Sequence, residues 1–373
     1  MSEMKLADRS LFLERFPRTD EQAALQAWDA ADEYLLQQAL PDEGIILVVN
    51  DNFGALATAL QPRSVCSYTD SWLSQQATLL NLRNNDYEPD SVTFIGSMEK
   101  ITVTPAAVLI RIPKSLALLE YQLQQIRQVV TANTRIIAGA KTRDIHNSTL
   151  ALFELYLGDT TTSLAVKKSR LIFSQVTQPE QPIKPQITSW QLEGTSWQID
   201  HYANVFSRLS LDIGARIFMR YLPEGIEGQW VDLGCGNGVI GMQTLSRNPH
   251  AEVIFVDESW MAVASSERNV TQNLPEALPR CQFMVNHSLS GFTEGSLNGI
   301  LCNPPFHQQH ALTDQIAWQM FTDAKRCLAY GGELRVVGNR HLDYHRKLKR
   351  LFGNCQLLGS DSRFVVLRTV KIR

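Results

Sequence analysis

Val231-Asp232-Leu233-Gly234-Cys235-Gly236-Asn237-Gly238-Val239 is the stretch that decides how this chain folds. The apolar run Trp230–Leu233 ends in a turn with glycine at every second position, and a helical pattern, Val239–Arg247, follows at once. Glycine lets the chain turn sharply and lets a ligand approach the main chain. Strand, glycine turn and helix in that order open a doubly wound α/β sheet. Gly236 to Gly241 also satisfies Gly-x-Gly-x-x-Gly, and Asp257 follows about twenty residues on, the spacing of a dinucleotide-binding fingerprint. A bare tight turn would use the same glycines. No Gly-Lys-Ser/Thr follows, which excludes a phosphate-cradling triphosphatase loop.

Working outward, short runs at Val253–Val256, Gln282–Val285, Gly299–Leu301 and Glu333–Val337 alternate with helical stretches such as Met261–Asn273. Phe364–Val370 reads as an edge or antiparallel strand, and Ile187–Gln191 with Trp197–His201 as a hairpin around Glu193-Gly194-Thr195. The same rhythm occupies the first half. Strands at Ile45–Val49, Ser64–Tyr68, Val92–Ile95, Ala107–Ile112 and Arg135–Ala138 are expected, with helices through Leu60, over Leu73–Asn81 and over Leu116–Val130. With Asn50 set on Gly234, Asp70 falls near Asp257 and Pro113 near Pro304, at spacings of 20 against 23 and 43 against 47 residues. An ancient duplication accounts for such offsets. Pro179, Pro182 and Pro185 mark a linker that suits neither helix nor sheet interior. The expected layout is a degenerate domain over 1–178, a linker over 179–186 and a catalytic domain over 187–373.

The chain has 373 residues, 44% hydrophobic and 20% charged, which suits two globular domains and excludes a disordered or fibrous chain. Its six cysteines form no Cys-x-x-Cys pair, so reduced thiols are expected rather than disulfides or a metal site. Met1 to Arg15 does not read as a signal peptide and no run is long enough to span a bilayer. A cytoplasmic protein is expected, with no membrane, no metal and no stable protein partner. The net charge of −3 hides an uneven distribution: −9 over residues 1–100, +5 over 101–190, −7 over 191–320 and +8 over 321–373. Lys167, Lys168 and Arg170, and Arg340 to Arg350, could be solvated faces or contacts to phosphate.

Asp257 closes its strand, where a carboxylate can accept bonds from a ribose diol, cap the next helix, or both. Asn303-Pro304-Pro305-Phe306 follows the strand expected to lie beside the glycine strand across the switch point, so both loops would flank one crevice. At these residues the sequence resembles the class I S-adenosylmethionine-dependent methyltransferases that modify exocyclic or side-chain amide nitrogens, whose motif is (Asn/Asp/Ser)-Pro-Pro-(Tyr/Phe/Trp). The resemblance implies two tandem Rossmann-like domains. It implies catalytic roles for Asn303, Pro304, Pro305 and Phe306, and S-adenosylmethionine contacts for Phe206, Asp232, Gly234, Gly236, Asn237, Gly238, Asp257, Asn286 and Asn303. An aromatic amine is a poor nucleophile. The Asn303 amide oxygen and the Pro304 carbonyl can each accept one of its hydrogens, and Phe306 can stack on the base. Asn286 would otherwise be a turn residue and Phe206 a core residue.

In the first half, Asn50-Asp51-Asn52-Phe53-Gly54 replaces the glycine turn and Ile112-Pro113-Lys114 replaces Asn-Pro-Pro-Phe. Bulk at the turn should exclude the cofactor, so this domain is expected to recognise substrate. Lys141, Arg143, Lys167, Lys168 and Arg170 are its candidate RNA contacts, joined by Phe306, His307 and Arg340 from the second half. Gln308 and His310 could also touch substrate, whereas His341 and His345 are expected at the surface. From Leu25-Gln26-Ala27-Trp28 through Ala203–Arg208 to Asn339–Leu342, the chain is similar to the bacterial ribosomal RNA guanine-N2 methyltransferases built from a duplicated domain, nearest their large-subunit (23S) members. That implies a ribosomal RNA partner. The open alternatives are small-subunit (16S) RNA, a protein glutamine, a non-catalytic RNA-binding factor, and a nicotinamide dehydrogenase, which leaves Asn303–Phe306 without purpose.

Overall fold

The computed structural model describes residues 1–18, 25–305 and 310–373. The chain divides into two compact units, Met1–Gln186 and Ile187–Arg373.

The first unit contains β1 (Ser2–Lys5), β2 (Ser10–Leu13), α1 (Ala30–Leu36), β3 (Ile46–Val49), α2 (Ala55–Ala59), β4 (Val65–Thr69) and α3 (Trp72–Asn84). It continues with β5 (Val92–Gly96), β6 (Ala107–Arg111), α4 (Leu116–Arg127), β7 (Arg135–Lys141), α5 (Asn147–Tyr156), β8 (Thr160–Thr162) and β9 (Ser169–Ser174). The second unit runs β10 (Thr188–Gln191), β11 (Gln198–His201), α6 (Ile213–Arg220), β12 (Glu227–Leu233), α7 (Val239–Arg247), β13 (His250–Asp257) and α8 (Trp260–Asn273). After these come β14 (Cys281–Val285), β15 (Leu297–Cys302), α9 (His310–Cys327), β16 (Leu328–Asn339), α10 (Tyr344–Phe352), β17 (Gln356–Ser360) and β18 (Phe364–Val370).

Each unit holds a seven-stranded sheet, ordered β5-β4-β3-β6-β7-β9-β8 in the first and β14-β13-β12-β15-β16-β18-β17 in the second. The permutation is the same. The first five strands of each order are parallel, and the last two join antiparallel. The central strands read as continuous apolar runs because helices cover both faces, as parallel sheets require. Ile46–Val49 is wholly buried, and in each unit an apolar cluster forms on each side of the sheet; the first unit adds a third, of Met4, Leu11, Leu13, Ala27, Trp28 and Ala55.

The duplication extends to single hydrogen bonds. On α8, the Asn269 side chain donates to the Asp200 and Asn237 carbonyls and accepts from Asp200 N; on α3, Asn81 donates to the Glu14 and Phe53 carbonyls and accepts from Glu14 N. One turn on, Asn273 brackets Gln198 as Asn85 brackets Phe12. The β1–β2 hairpin is thereby the counterpart of the β10–β11 hairpin, a relation the motif spacings did not reveal.

The register corrects two sequence correspondences. Leu233 pairs with Cys302 and Val49 with Ile110, so Arg111, not Ile112, occupies the place of Asn303, and Pro113 that of Pro305. Leu233 pairs with Val256 and Val49 with Tyr68, so Thr69, not Asp70, stands at Asp257. The second unit has four more residues than the first between each of these points, so a match made by counting slips by one where backbone pairing does not. Five strands escaped sequence reading: β1, β2, β8, β9 and β17. β17 is short, mostly exposed and closed by Gly359, whose hydrogens face the Tyr221 ring in place of a side chain. β9 begins at the cations that sequence alone assigned to a charged face.

Candidate active site

The glycine turn after β12 is held by the neighbouring strand, with Gly234 N and Cys235 N donating to the Val256 carbonyl at 2.8 and 2.9 Å. Gly236 and Gly238 both lie in the left-handed region, at φ 53° and 86°, but for different ends. A methyl group on Gly238 would sit 2.8 Å from Ser266 Oγ, so this glycine lets α7 close against α8. A methyl group on Gly236 would meet nothing within 4 Å, so the main chain there faces open space. That is the cradle a ligand needs.

Asp257, half-buried at the end of β13, accepts from Gly236 N at 3.0 Å through Oδ2 and from Ser259 N at 3.0 Å through Oδ1. It thus fixes both the glycine turn and the start of α8, and a carboxylate keeps further lone pairs for a diol. Asp232 lies under the turn, buried, with Oδ2 accepting from Gly241 N at 2.9 Å. Burial, reinforced by the Asp257 charge, pushes its carboxyl up to about 8. Asn237 is spent internally: its amide nitrogen meets His201 Nε2 at 3.1 Å and its oxygen accepts from Val239 N. His201 in turn bonds the Thr188 carbonyl, and burial lowers its pKa. Asn286, buried after β14, donates to the Ser290 carbonyl at 2.7 Å and so shapes its own loop. Phe206 is 53% exposed, which removes the core reading, and its loop is tied down by Trp190 Nε1 donating to the Ser207 carbonyl.

Asn303 follows β15 directly beside the glycine turn, because Leu233 pairs with Cys302. A methyl group on Gly234 would lie 3.9 Å from the Asn303 carbonyl. The Asn303 side chain donates from Nδ2 to Asp212 Oδ2 at 3.1 Å. Its Oδ1 is shut away from solvent with no hydrogen-bond partner among the described residues. A buried acceptor left unmet is costly unless a ligand donor completes it. Pro304 is buried and Pro305 exposed, while Phe306, His307 and Gln308 lie outside the described residues. The thiols at this crevice, Cys235 and Cys302, are both buried and raised by desolvation, so neither is a nucleophile. Among the described residues no group of three or more His, Cys, Asp or Glu could hold a metal ion, and no helix is long and apolar enough to cross a membrane.

The first unit fills the equivalent place with its own side chains. Asn50 stands at Gly234 and exchanges reciprocal amide bonds with the buried Gln122 of α4 at 2.7 and 2.8 Å. Arg111, at the place of Asn303, sits between Asp29 and Asp32 at 2.9 and 2.6 Å, and these carboxylates raise its pKa further. Asp70 is buried against Ser97 Oγ at 2.5 Å. Thr69 takes over only the helix-starting half of Asp257's work, its Oγ1 accepting from Ser71 N.

The candidate cations of the first unit converge. Lys141 pairs in register with Ser169, Ala140 with Arg170, and Thr142 N donates to the Lys168 carbonyl at 2.9 Å. Lys141, Arg143, Lys167 and Lys168 are exposed and Arg170 is half-buried. Lys167 reaches Glu33 at 3.2 Å and Arg143 reaches Asp144 at 4.0 Å. Arg340, exposed, follows β16 as Lys141 ends β7, and His341 and His345 are at the surface. Sequence reading missed Asp212 and Asn269. The one signal for Asp212 was its place before a helix, the ordinary position of an N-cap.

Residues 1–178 match the family model described as the RLMG N-terminal domain, and residues 196–368 match that of the methyltransferase small domain. The chain is 59% identical over 373 residues to the ribosomal RNA large subunit methyltransferase G of Klebsiella pneumoniae subsp. pneumoniae, covering 100% of this chain and 99% of the relative. It is 56% identical to the protein of the same name from Erwinia tasmaniensis, covering 100% of both. Among solved structures, the T. thermophilus 16S rRNA N2 G1207 methyltransferase in complex with AdoMet and guanosine superposes with a TM-score of 0.77, at 19% identity, over 99% of this chain and 97% of the other. That likeness bears on the fold: both units share their layout with a protein of that architecture.

Proposed function

Since this chain belongs to the ribosomal RNA large subunit methyltransferase G family, we propose that it transfers a methyl group from S-adenosylmethionine to the exocyclic N2 of one guanosine in 23S ribosomal RNA. The observation that carries the reading is the unmatched, buried Asn303 Oδ1 next to the open glycine turn. Family membership favours the large-subunit RNA over the small-subunit RNA and over a protein glutamine.

When bound, S-adenosylmethionine supplies a methyl group on a positively charged sulfur. The open main chain at Gly236 gives it room, and the Asp257 carboxylate receives its ribose hydroxyls. Asn303 Oδ1 accepts one hydrogen of the guanine amine and the Pro304 carbonyl accepts the other, which holds the nitrogen lone pair toward the methyl group. Phe306 stacks on the base. The amine's spare proton leaves to solvent once the new N–C bond has formed, so no strong base is needed. A guanine inside a helix could not present N2 to Asn303, so the target is single-stranded or flipped out. We assign RNA phosphate contacts to Lys141, Arg143, Lys167, Lys168, Arg170 and Arg340, read the first unit as an RNA-recognition module without cofactor, and place the protein in the cytoplasm.

Asn303→Ala should keep S-adenosylmethionine binding by calorimetry and lose roughly 100- to 1,000-fold in turnover. Unchanged turnover removes Asn303 from the reaction. Nucleoside mass spectrometry of 23S RNA from cells with and without the gene should show one N2-methylguanosine disappearing, and an unaltered profile would refute the substrate.

A further inference from the structure

We infer that Asp212 is the positioning residue of this site: it sets which end of the Asn303 amide faces the substrate. The inference rests on the reading of Asn303 as the amine's acceptor. An amide can present either its oxygen or its NH2 group, and only the oxygen can hold an amine hydrogen. An ionised carboxylate only accepts. With Asp212 Oδ2 at 3.1 Å, Asn303 must turn Nδ2 to it and leave Oδ1 on the other side, where the buried, unmatched oxygen is found. Asp212 is itself locked, since the same Oδ2 accepts from Ala215 N at 2.9 Å as the N-cap of α6.

The first unit carries the same device with another cargo. Asp29 is the N-cap of α1, accepting from Ala31 N and Asp32 N, and it also takes Arg111, the residue at the place of Asn303, through two bonds of 2.9 and 3.0 Å. In both units, therefore, an aspartate capping the helix before the first central strand grips a residue at the end of the neighbouring strand, the last of β6 in one and the first after β15 in the other. In the first unit the gripped group has only donors and its charge is met. In the second it is an amide with a spare acceptor. The pairing has survived a change of both residue type and charge, which a helix cap alone would not demand.

Asp212→Asn tests this, because asparagine caps helices as well as aspartate but can donate as well as accept. Asn303 can then reverse and offer NH2 to the amine. The expected result is a kcat lower by roughly 10- to 100-fold, with KM for RNA and Kd for S-adenosylmethionine within about threefold and an unchanged melting curve. Asn303→Asp alone should be at least as impaired, since two carboxylates would face each other. Asp212→Asn combined with Asn303→Asp restores a donor opposite an acceptor and should turn over faster than either single variant, an outcome a purely structural role cannot produce. A kcat within twofold of the parent for Asp212→Asn, or a double variant no better than Asn303→Asp, overturns the inference. If Asp212→Asn melts early, the comparison of the double variant with Asn303→Asp still decides it. Asn303→Ala run in parallel separates the two failures: full turnover there sinks the acceptor reading, whereas its loss beside an unaffected Asp212→Asn sinks only the role of Asp212.

Discussion

Gly54 and Gly238 end their turns at φ 80° and 86°, and a side chain at either would strike the next helix, at Thr78 and at Ser266. In both units a buried carboxylate satisfies the backbone N–H of the third residue of the helix that follows, Ala57 or Gly241. The carboxylate comes from different positions: Asp51 within the turn in one unit, Asp232 at the end of the strand in the other. Where the chain must pack, the halves meet the same backbone needs, even where a different residue meets them. Where a ligand would enter they part: Gly234 against Asn50, Gly236 against Asn52, Asp257 against Thr69, Asn303 against Arg111. Packing constrains a scaffold far more tightly than it constrains the rim of its sheet, so one copy can lose its crevice without losing its fold.

Transplanting the rim should break the comparison most severely. Gly234→Asn with Gly236→Asn puts the first unit's residues on the second unit's turn; asparagine tolerates the left-handed region, so the circular dichroism spectrum should persist. Calorimetry should show S-adenosylmethionine binding weakened about 100-fold or more, since the side chain at 236 enters the open space and the one at 234 lies against Asn303. Retained binding would mean the turn is not the cradle. In the first unit, Arg111→Ala leaves Asp29 and the buried Asp32 without their counter-charge and should cost about 3 kcal/mol in urea unfolding of that unit. Lys167→Glu with Lys168→Glu should weaken RNA binding about tenfold at low salt and flatten its salt dependence, measured by filter binding across salt concentrations. The smallest effect concerns Asp232. Its folded pKa of about 8 exceeds its unfolded value, so the folded state holds a proton that the unfolded chain releases. Its contribution is present in full in acid and lost as pH rises toward 8. Asp232→Asn should remove that slope, so that its melting temperature exceeds the parent's by about 3 °C or more at pH 8 and the gap shrinks toward pH 5.

The strand-turn-helix unit and the order of the central strands were legible because parallel strands buried on both faces write themselves as apolar runs, and because Gly234, Gly236 and Gly238 can have few purposes together. Asn303 and Asp257 were legible by spacing from that turn. Asp212 was not: its partner lies 91 residues away, and nothing local to it distinguishes a helix cap from a helix cap that holds something else. Asn237 showed the reverse, a motif position whose side chain is committed to His201 and α7. The equivalence of Arg111 with Asn303 needed backbone register, since counting residues across loops of unequal length slips by one.

β18 has a bearing on how the protein comes into being. It follows every other strand of its unit in the chain, yet lies inside the sheet between β16 and β17. During synthesis the first unit has all its strands once residue 174 has left the exit tunnel, and domains generally fold as they emerge. The second must wait for residue 370, its sheet split until then, with β17 cut off from β16. Methyl transfer is thus a property the nascent chain acquires last.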